Sequence, residues 1–187
     1  MCIRDRRITA RGIKTSDAER SLDMIIFATG FDAITGAFDR IDIRGCGGAR
    51  LKDKWADGPR TYLGLQVEGF PNMLTLVGPH NAATFCNLPR CIEQNVEWVS
   101  ELLCYMRERG LTRVEATASA EAAWTAHVHE TAARLLLMQV DSWMTGVNKN
   151  VAGRQKRVFM AYAGGAPKYR QKCDEVAAHA YEGFALA

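Results

Sequence analysis

A chain of 187 residues is long enough for one domain, or one large lobe, with a core of its own. Its 48% hydrophobic and 24% charged residues are ordinary for a soluble globular protein, and a net charge of +3 supplies no concentrated basic face for nucleic acid or an anionic membrane. No apolar run approaches the roughly 20 residues that cross a bilayer, and no Cys, His, Asp or Glu pattern has metal-ligand spacing.

Residues 1–6 lack the apolar core of a signal peptide, so a cytoplasmic location is expected. Six cysteines without a Cys-x-x-Cys pair read as reduced core or pocket residues rather than a disulfide framework. Residues 7–17 read as an extended segment with a polar turn. Residues 22–28 (Leu-Asp-Met-Ile-Ile-Phe-Ala) run into Thr29-Gly30, the pattern of a central strand buried on both faces. Residues 40–44 alternate Ile41 and Ile43 with polar neighbours, as a half-exposed strand does, and glycines at 45, 47 and 48 then mark a turn. Residues 52–66 read as an irregular loop, and residues 72–77 as a second buried strand closed by Gly78-Pro79.

A helix is expected from about Leu88, with Asn87 as N-cap, Pro89 in its first turn and Gly110 at its end. Ile92, Val96, Val99, Leu103 and Met106 share one of its faces, which is expected to meet the core. Thr117 opens another helix with Trp124, Val128, Leu135 and Met138 on one side. Residues 142–153 look like a loop and residues 157–163 like a strand. Pro167 opens a last helix, with Tyr169, Cys173, Val176 and Ala180 in register. This order is α/β. Strand-then-helix over residues 72–110 is half of a crossover unit whose partner strands are missing, which points to further residues ahead of Met1 in the intact protein.

Three segments carry chemistry. Residues 23–32 place a Thr-Gly turn and an aromatic, Phe31, at a strand end, where open α/β sheets bind ligands and glycine lets the backbone approach a cofactor. Gly78-Pro79-His80-Asn81, with Asn87-Leu88-Pro89 opening a helix, offers free N–H donors and a partial positive charge to a developing anion; Phe85, Cys86 and Leu88 are then placed to wall a substrate pocket. Residues 141–157 combine Trp143, glycines, Asn148 and basic residues, as in a loop that folds over a phosphate-bearing cofactor. Taken singly, each segment also reads as ordinary structure: a strand end, a capped surface helix, a solvated basic loop.

Together these segments resemble the C-terminal region of Baeyer–Villiger monooxygenases of the cyclohexanone-monooxygenase type. The resemblance runs from about Arg7 to Ala187 through Ile26-Phe-Ala-Thr-Gly-Phe-Asp, Arg40-Ile-Asp-Ile-Arg-Gly, Gly58-Pro-Arg-Thr-Tyr-Leu-Gly, Asn87-Leu-Pro, Ser142-Trp143, Tyr169-Arg170 and Tyr181-Glu-Gly-Phe. It implies FAD and NADPH as cofactors, a small-molecule ketone and O2 as substrates, and insertion of one oxygen atom through a peroxyflavin to give an ester or lactone. It places Thr29, Gly30 and Phe31 by the FAD, Asn87 and Leu88 at the flavin ring, Phe85, Cys86 and Leu88 toward the substrate, and Trp143 and Asn148 in the loop over the nicotinamide cofactor. The fold it implies is an incomplete FAD/NAD(P)-binding Rossmann-like lobe with C-terminal helices.

The departures are equally informative. No Gly-x-Gly-x-x-Gly occurs, so the N-terminal dinucleotide-binding segment and the catalytic residues are expected upstream, in the missing N-terminal part of the same protein. Residues 1–6 do not look like family sequence and read as a leader or scar, with residues 7–187 as the C-terminal FAD-binding and substrate region. The alternatives are an N- or S-oxygenating flavin monooxygenase and a non-catalytic truncated module. His127 and His129 point about 200° apart on a helix and are expected to be surface residues, and Trp55, Trp98 and Trp124 to be core.

Overall fold

In the computed structural model, residues 5–28, 32–82, 86–148 and 156–187 are described. They form two compact units, Met1–Phe31 and Asp32–Ala187.

The first unit is an antiparallel sheet of β1 (Asp5–Thr9), β2 (Gly12–Thr15) and β3 (Glu19–Ser21) in that order. Thr9 pairs with Gly12 and Ile8 with Ile13, so a two-residue turn joins the first pair of strands. A Cβ on Gly12 would collide with the Arg20 carbonyl, so the crossing of β2 and β3 requires glycine there. Thr15 Oγ1 accepts from the Asp17 and Ala18 amides and holds the polar turn anticipated within residues 7–17.

Residues 22–28 do not form the expected central strand. They are extended but unladdered, with Met24 75%, Ile26 82% and Phe27 69% exposed. A doubly buried strand needs a neighbour on each edge and a layer on each face, and the described residues supply neither.

The second unit is mixed α and β. It holds the one-turn helices α1 (Gly36–Asp39) and α2 (Leu51–Lys54), then α3 (Leu88–Glu108), β4 (Val114–Ala116), α4 (Ala118–Ala132), α5 (Ala166–Ala178) and β5 (Phe184–Leu186). β4 and β5 pair antiparallel, Val114 to Leu186 and Ala116 to Phe184. The mixed α/β content is as expected, and all strand pairs among the described residues are antiparallel, so they hold no parallel sheet.

Three further expected strands are also corrected. Within residues 72–77, Asn72 and Val77 take φ of 61° and 55°, and Leu74 makes a single bridge to Gln66. Residues 40–44 contribute one bridge, Arg44 to Arg50. Residues 157–163 are extended but bond to different segments on their two edges, so no ladder forms.

The core gathers Trp98, Leu102 and Met106 of α3, Val114 and Ala116 of β4, Trp124 and Val128 of α4, and Tyr169, Cys173 and Val176 of α5 around Leu63 and Leu65. α3 starts as its sequence predicts: Asn87 Oδ1 accepts from the Arg90 amide, Pro89 occupies the first turn, and Gly110 follows the end at φ 66°. Its buried face is the surprise. Cys91, Asn95, Trp98, Leu102 and Met106 point inward, while Ile92 (40%), Val96 (43%) and Leu103 (51%) are exposed. Met106 is the one fully buried member of the stripe expected to meet the core. The three predicted tryptophans are buried, as expected. Leu135 and Met138 fall outside α4, which ends at Ala132, and Ala180 lies beyond α5 in the left-handed region.

A charged seam ties the loop around residue 68 to β4 and α4. Glu121, 3% exposed on its side chain, meets Lys54 at 3.3 Å and Arg60 at 3.5 Å and accepts from the Glu68 amide at 2.9 Å. Glu115 accepts from the Gly69 amide, and the Arg113 guanidinium at 2.6 Å holds its carboxyl below the usual carboxylate range.

Candidate functional site

Thr29, Gly30, Phe31 and Phe85 lie outside the described residues. The rest of the anticipated site falls into two places joined by one strap.

At the start of α3, Pro89 has no amide and the Arg90 amide is held by the Asn87 side chain, so among the described residues the Leu88 N–H is the donor left over by the helix end. Leu88 is half exposed and Cys86 half buried. The two cysteines nearby are not separate thiols as expected: Cys86 is joined to Cys91 across the N-cap, with Cα atoms 7.0 Å apart. Cys86 lies just ahead of the helix and Cys91 in its first turn, so the chain reversal at the Asn87 N-cap brings the two together. Cys46, Cys104 and Cys173 are free, and burial pushes the Cys173 thiol up to about 12.

The second place is the loop at Trp143. Ser142 and Thr145 form a reciprocal cap: Ser142 Oγ accepts from the Met144 amide and Thr145 Oγ1 from the Ser142 amide. Trp143, thus presented on a fixed turn, is 49% exposed. Asn148 Nδ2 donates to Asp32 Oδ1 at 3.3 Å, so the segment directly after Phe31 meets the loop that the sequence reading assigned to the nicotinamide cofactor. Asp32, Trp143 and Asn148 line one small cavity.

The strap is residues 158–162. On one edge the Val158 amide donates to Thr145 O and the Met160 amide to Met144 O. On the other, His80 N–H donates to Met160 O, and Tyr162 N–H to Asn81 O. The Trp143 loop and the Gly78-Pro79-His80-Asn81 turn are therefore fixed to one rigid piece of backbone.

Sequence reasoning missed the polar core beneath that turn. Asn81 Nδ2 donates to Asn95 Oδ1 at 2.8 Å and to the Tyr169 hydroxyl at 2.7 Å, Tyr169 donates to Leu63 O, and Asn95 Oδ1 also accepts from the Val77 amide. All three side chains are at most 3% exposed. An asparagine on a helix one turn from Cys91 and Trp98 was the available signal, because a buried amide must find partners. Burial raises the Tyr169 hydroxyl well above its ordinary value, so it serves as a neutral hydrogen-bonding group. His80 is fully buried, with Nδ1 3.3 Å from Thr61 Oγ1. Desolvation lowers its pKa to about 3, with His129 adding to the fall and the Phe159 backbone opposing it. Among the described residues no group of three His, Cys, Asp or Glu is placed to hold a metal ion, and no helix is long and apolar enough to cross a membrane.

No family model matches the chain. Individual proteins do. It is 48% identical over 180 residues to the 2-oxo-Δ3-4,5,5-trimethylcyclopentenylacetyl-CoA monooxygenase of Pseudomonas putida, covering 96% of this chain and 33% of that protein. It is 44% identical over 182 residues to the phenazine N-monooxygenase PhzNO1 of Lysobacter antibioticus, covering 97% and 33%. Among solved structures, OTEMO in complex with FAD and NADP superposes with a TM-score of 0.88 at 48% identity, covering 98% of this chain and 33% of that one. A closed cyclohexanone monooxygenase superposes with a TM-score of 0.89 at 40% identity, covering 98% and 34%. The chain thus spans about a third of the length of the relatives it matches. Over that span, at this identity and with this backbone agreement, it matches about a third of the Baeyer–Villiger monooxygenases of the cyclohexanone-monooxygenase type in both sequence and fold.

Proposed function

We propose that residues 7–187 form the C-terminal FAD-binding and substrate-facing region of an FAD- and NADPH-dependent monooxygenase that inserts one atom of O2 into a ketone to give an ester or lactone. The observation that carries this reading is a surface made to be covered. Residues 22–28 expose Met24, Ile26 and Phe27 just ahead of Thr29-Gly30-Phe31, and α3 exposes Leu88, Ile92, Val96 and Leu103 from its first turn onward. Contiguous apolar surface of this kind marks an interface, and in each place it leads directly to a residue assigned to the flavin.

The residues present suit such a group. A helix end with one unused N–H, a partial positive charge and a half-exposed leucine matches the polar edge and flat apolar face of an isoalloxazine. In this reading Leu88 N–H and the N-terminus of α3 steady negative charge at that edge, and Asn87 keeps the helix end in register. Trp143 and Asn148, held by the Ser142–Thr145 cap and by Asp32, close over the nicotinamide nucleotide. Cys86 and Leu88, with Phe85, bound the ketone. Bound FAD, reduced by NADPH, supplies the two electrons that activate O2. The pyrophosphate-binding loops belong to the remaining two thirds of the relatives' length, so the 187-residue chain purified alone is expected to carry no stoichiometric flavin absorption.

N-oxygenation is a second reading, supported by the 44% identity to a phenazine N-monooxygenase. The full gene product, assayed with NADPH and labelled O2 against cyclic ketones, aromatic amines and sulfides, separates the two. Lactone carrying one labelled oxygen supports ketone insertion. N-oxide without lactone moves the assignment to the second reading, and NADPH-independent behaviour with no flavin removes both.

A further inference from the structure

α4 and α5 turn two complementary faces toward an open cleft of about 820 Å3. The α4 wall is Ala120, Ala123, Trp124 and His127; the α5 wall is Lys168, Gln171, Lys172 and Glu175. Both sets follow i, i+3, i+4, i+7 spacing, so each is one continuous helix face. The α4 wall is small and aromatic and the α5 wall polar. Alanines at 120 and 123, where larger side chains would fill the gap, leave the space.

The aromatic part of the wall is rigid. Trp124 stacks on Tyr162 with ring centroids 5.1 Å apart, and His127 Nε2 lies 3.3 Å from the Tyr162 hydroxyl. One polar group there is unmatched: the Lys168 ammonium has no carboxylate partner among the described residues, whereas Lys172 is 3.8 Å from Glu175. The volume lies within the ~300–1,000 Å3 of small-molecule sites, which pair apolar walls with a few placed polar groups.

We infer that this cleft binds a small amphipathic anion: a flat aromatic or alicyclic body against Ala120, Ala123 and Trp124, and one carboxylate directed to Lys168. An unpaired ammonium beside apolar surface favours an anion over a neutral or cationic molecule of the same shape. Lys172 and Glu175 on the same cleft are 3.8 Å apart and offset each other, and Glu182 opposes a second negative charge on the ligand. The inference is independent of the flavin reading, since no residue assigned to flavin, nicotinamide or ketone lines this cleft.

The test is calorimetric titration of the full chain with naphthoate and with naphthalenemethanol, its neutral counterpart, using the natural sequence, Ala123→Trp and Lys168→Glu. Naphthoate should bind saturably, one per chain. It should bind about fivefold or more weakly in Lys168→Glu, and the alcohol should be weaker by a similar factor on the natural sequence. Ala123→Trp, which fills the cleft from an exposed position, should abolish binding while keeping a cooperative unfolding transition; if it disturbs α4, Lys168→Glu and the neutral counterpart still decide. Equal affinity for the alcohol, full affinity in Lys168→Glu or in a folded Ala123→Trp, or no saturable naphthoate binding overturns the inference. So does a concentration-dependent dimer that Ala123→Trp dissolves, because the cleft's occupant is then a second copy of the chain.

Discussion

α3 carries two apolar stripes, and they have opposite fates. The inner one, Cys91, Trp98, Leu102 and Met106, is at most 7% exposed, and its last three members share a core with residues of β4, α4 and α5. The outer one, Leu88, Ile92, Val96 and Leu103, is 40–51% exposed. Hydrophobicity does not separate them, since isoleucine, valine and leucine stand outside while a buried asparagine stands inside. What separates them is the supply of partners. Trp98 has Tyr181 and Phe184 at 5.2 and 5.8 Å and an acceptor in Cys173 O, and Asn95 has Asn81 and Val77. The outer stripe has no such neighbours among the described residues, so burial records what is available to pack against.

The sharpest way to break this contrast is to remove the inner anchor. Trp98→Ala should cost about 3–5 kcal/mol in denaturant unfolding, from lost burial and the cavity left behind; a loss under 1 kcal/mol would mean that the inner face is no better packed than the outer.

Asn95→Leu comes next. It removes an acceptor that Asn81 and the Val77 amide share and should cost about 1–3 kcal/mol, because buried donors lose an acceptor that water does not replace. Hydrogen exchange at Val77 should speed up with it, and an unchanged Val77 rate would show that the turn is held by other contacts.

His80 sharpens the contrast through pH. Its folded pKa of about 3 lies below the ordinary 6.5, so between those values the unfolded chain binds a proton that the folded chain refuses. Stability should therefore fall as pH drops through that window, with a slope of up to about 1.4 kcal/mol per pH unit. His80→Gln should flatten the slope, and a persistent slope would assign the acid sensitivity to other groups.

The smallest effect belongs to the outer stripe. Ile92→Ser and Val96→Ser should change the unfolding free energy of the chain by no more than about 0.5 kcal/mol, while the same changes in the full gene product should lower flavin occupancy. A large loss in the chain alone would show that this face is already covered.

Local signals in the sequence were read well where the chemistry is local. The Asn87 and Thr117 caps, Pro89 and Gly110 placed the two long helices, because a side-chain oxygen three residues from an amide needs no tertiary partner. Tyr169, Cys173 and Val176 were set in register for the same reason. The strands at 22–28, 72–77 and 157–163 were misjudged because an apolar run states only that a segment seeks burial. Pairing is a property of two segments, and here the neighbours are absent or engage one bond at a time. The candidate site divides similarly: Asn87, Leu88 and Trp143 could be singled out from motifs, but the convergence of Asn81, Asn95 and Tyr169 could not, since they lie up to 88 positions apart along the chain.

The sequence by itself determined where the long helices begin and where α3 ends, which residues are apolar, and the family resemblance, because caps, composition and motif order are written in consecutive residues. Only the tertiary structure decided which stripe of α3 is inside, that residues 158–162 bind the Trp143 loop to the His80 turn, and that alanines on α4 face lysines on α5 across an open cleft. Those outcomes depend on which surfaces compete for the same burial and the same hydrogen bonds, and that competition exists only once distant segments have been brought together.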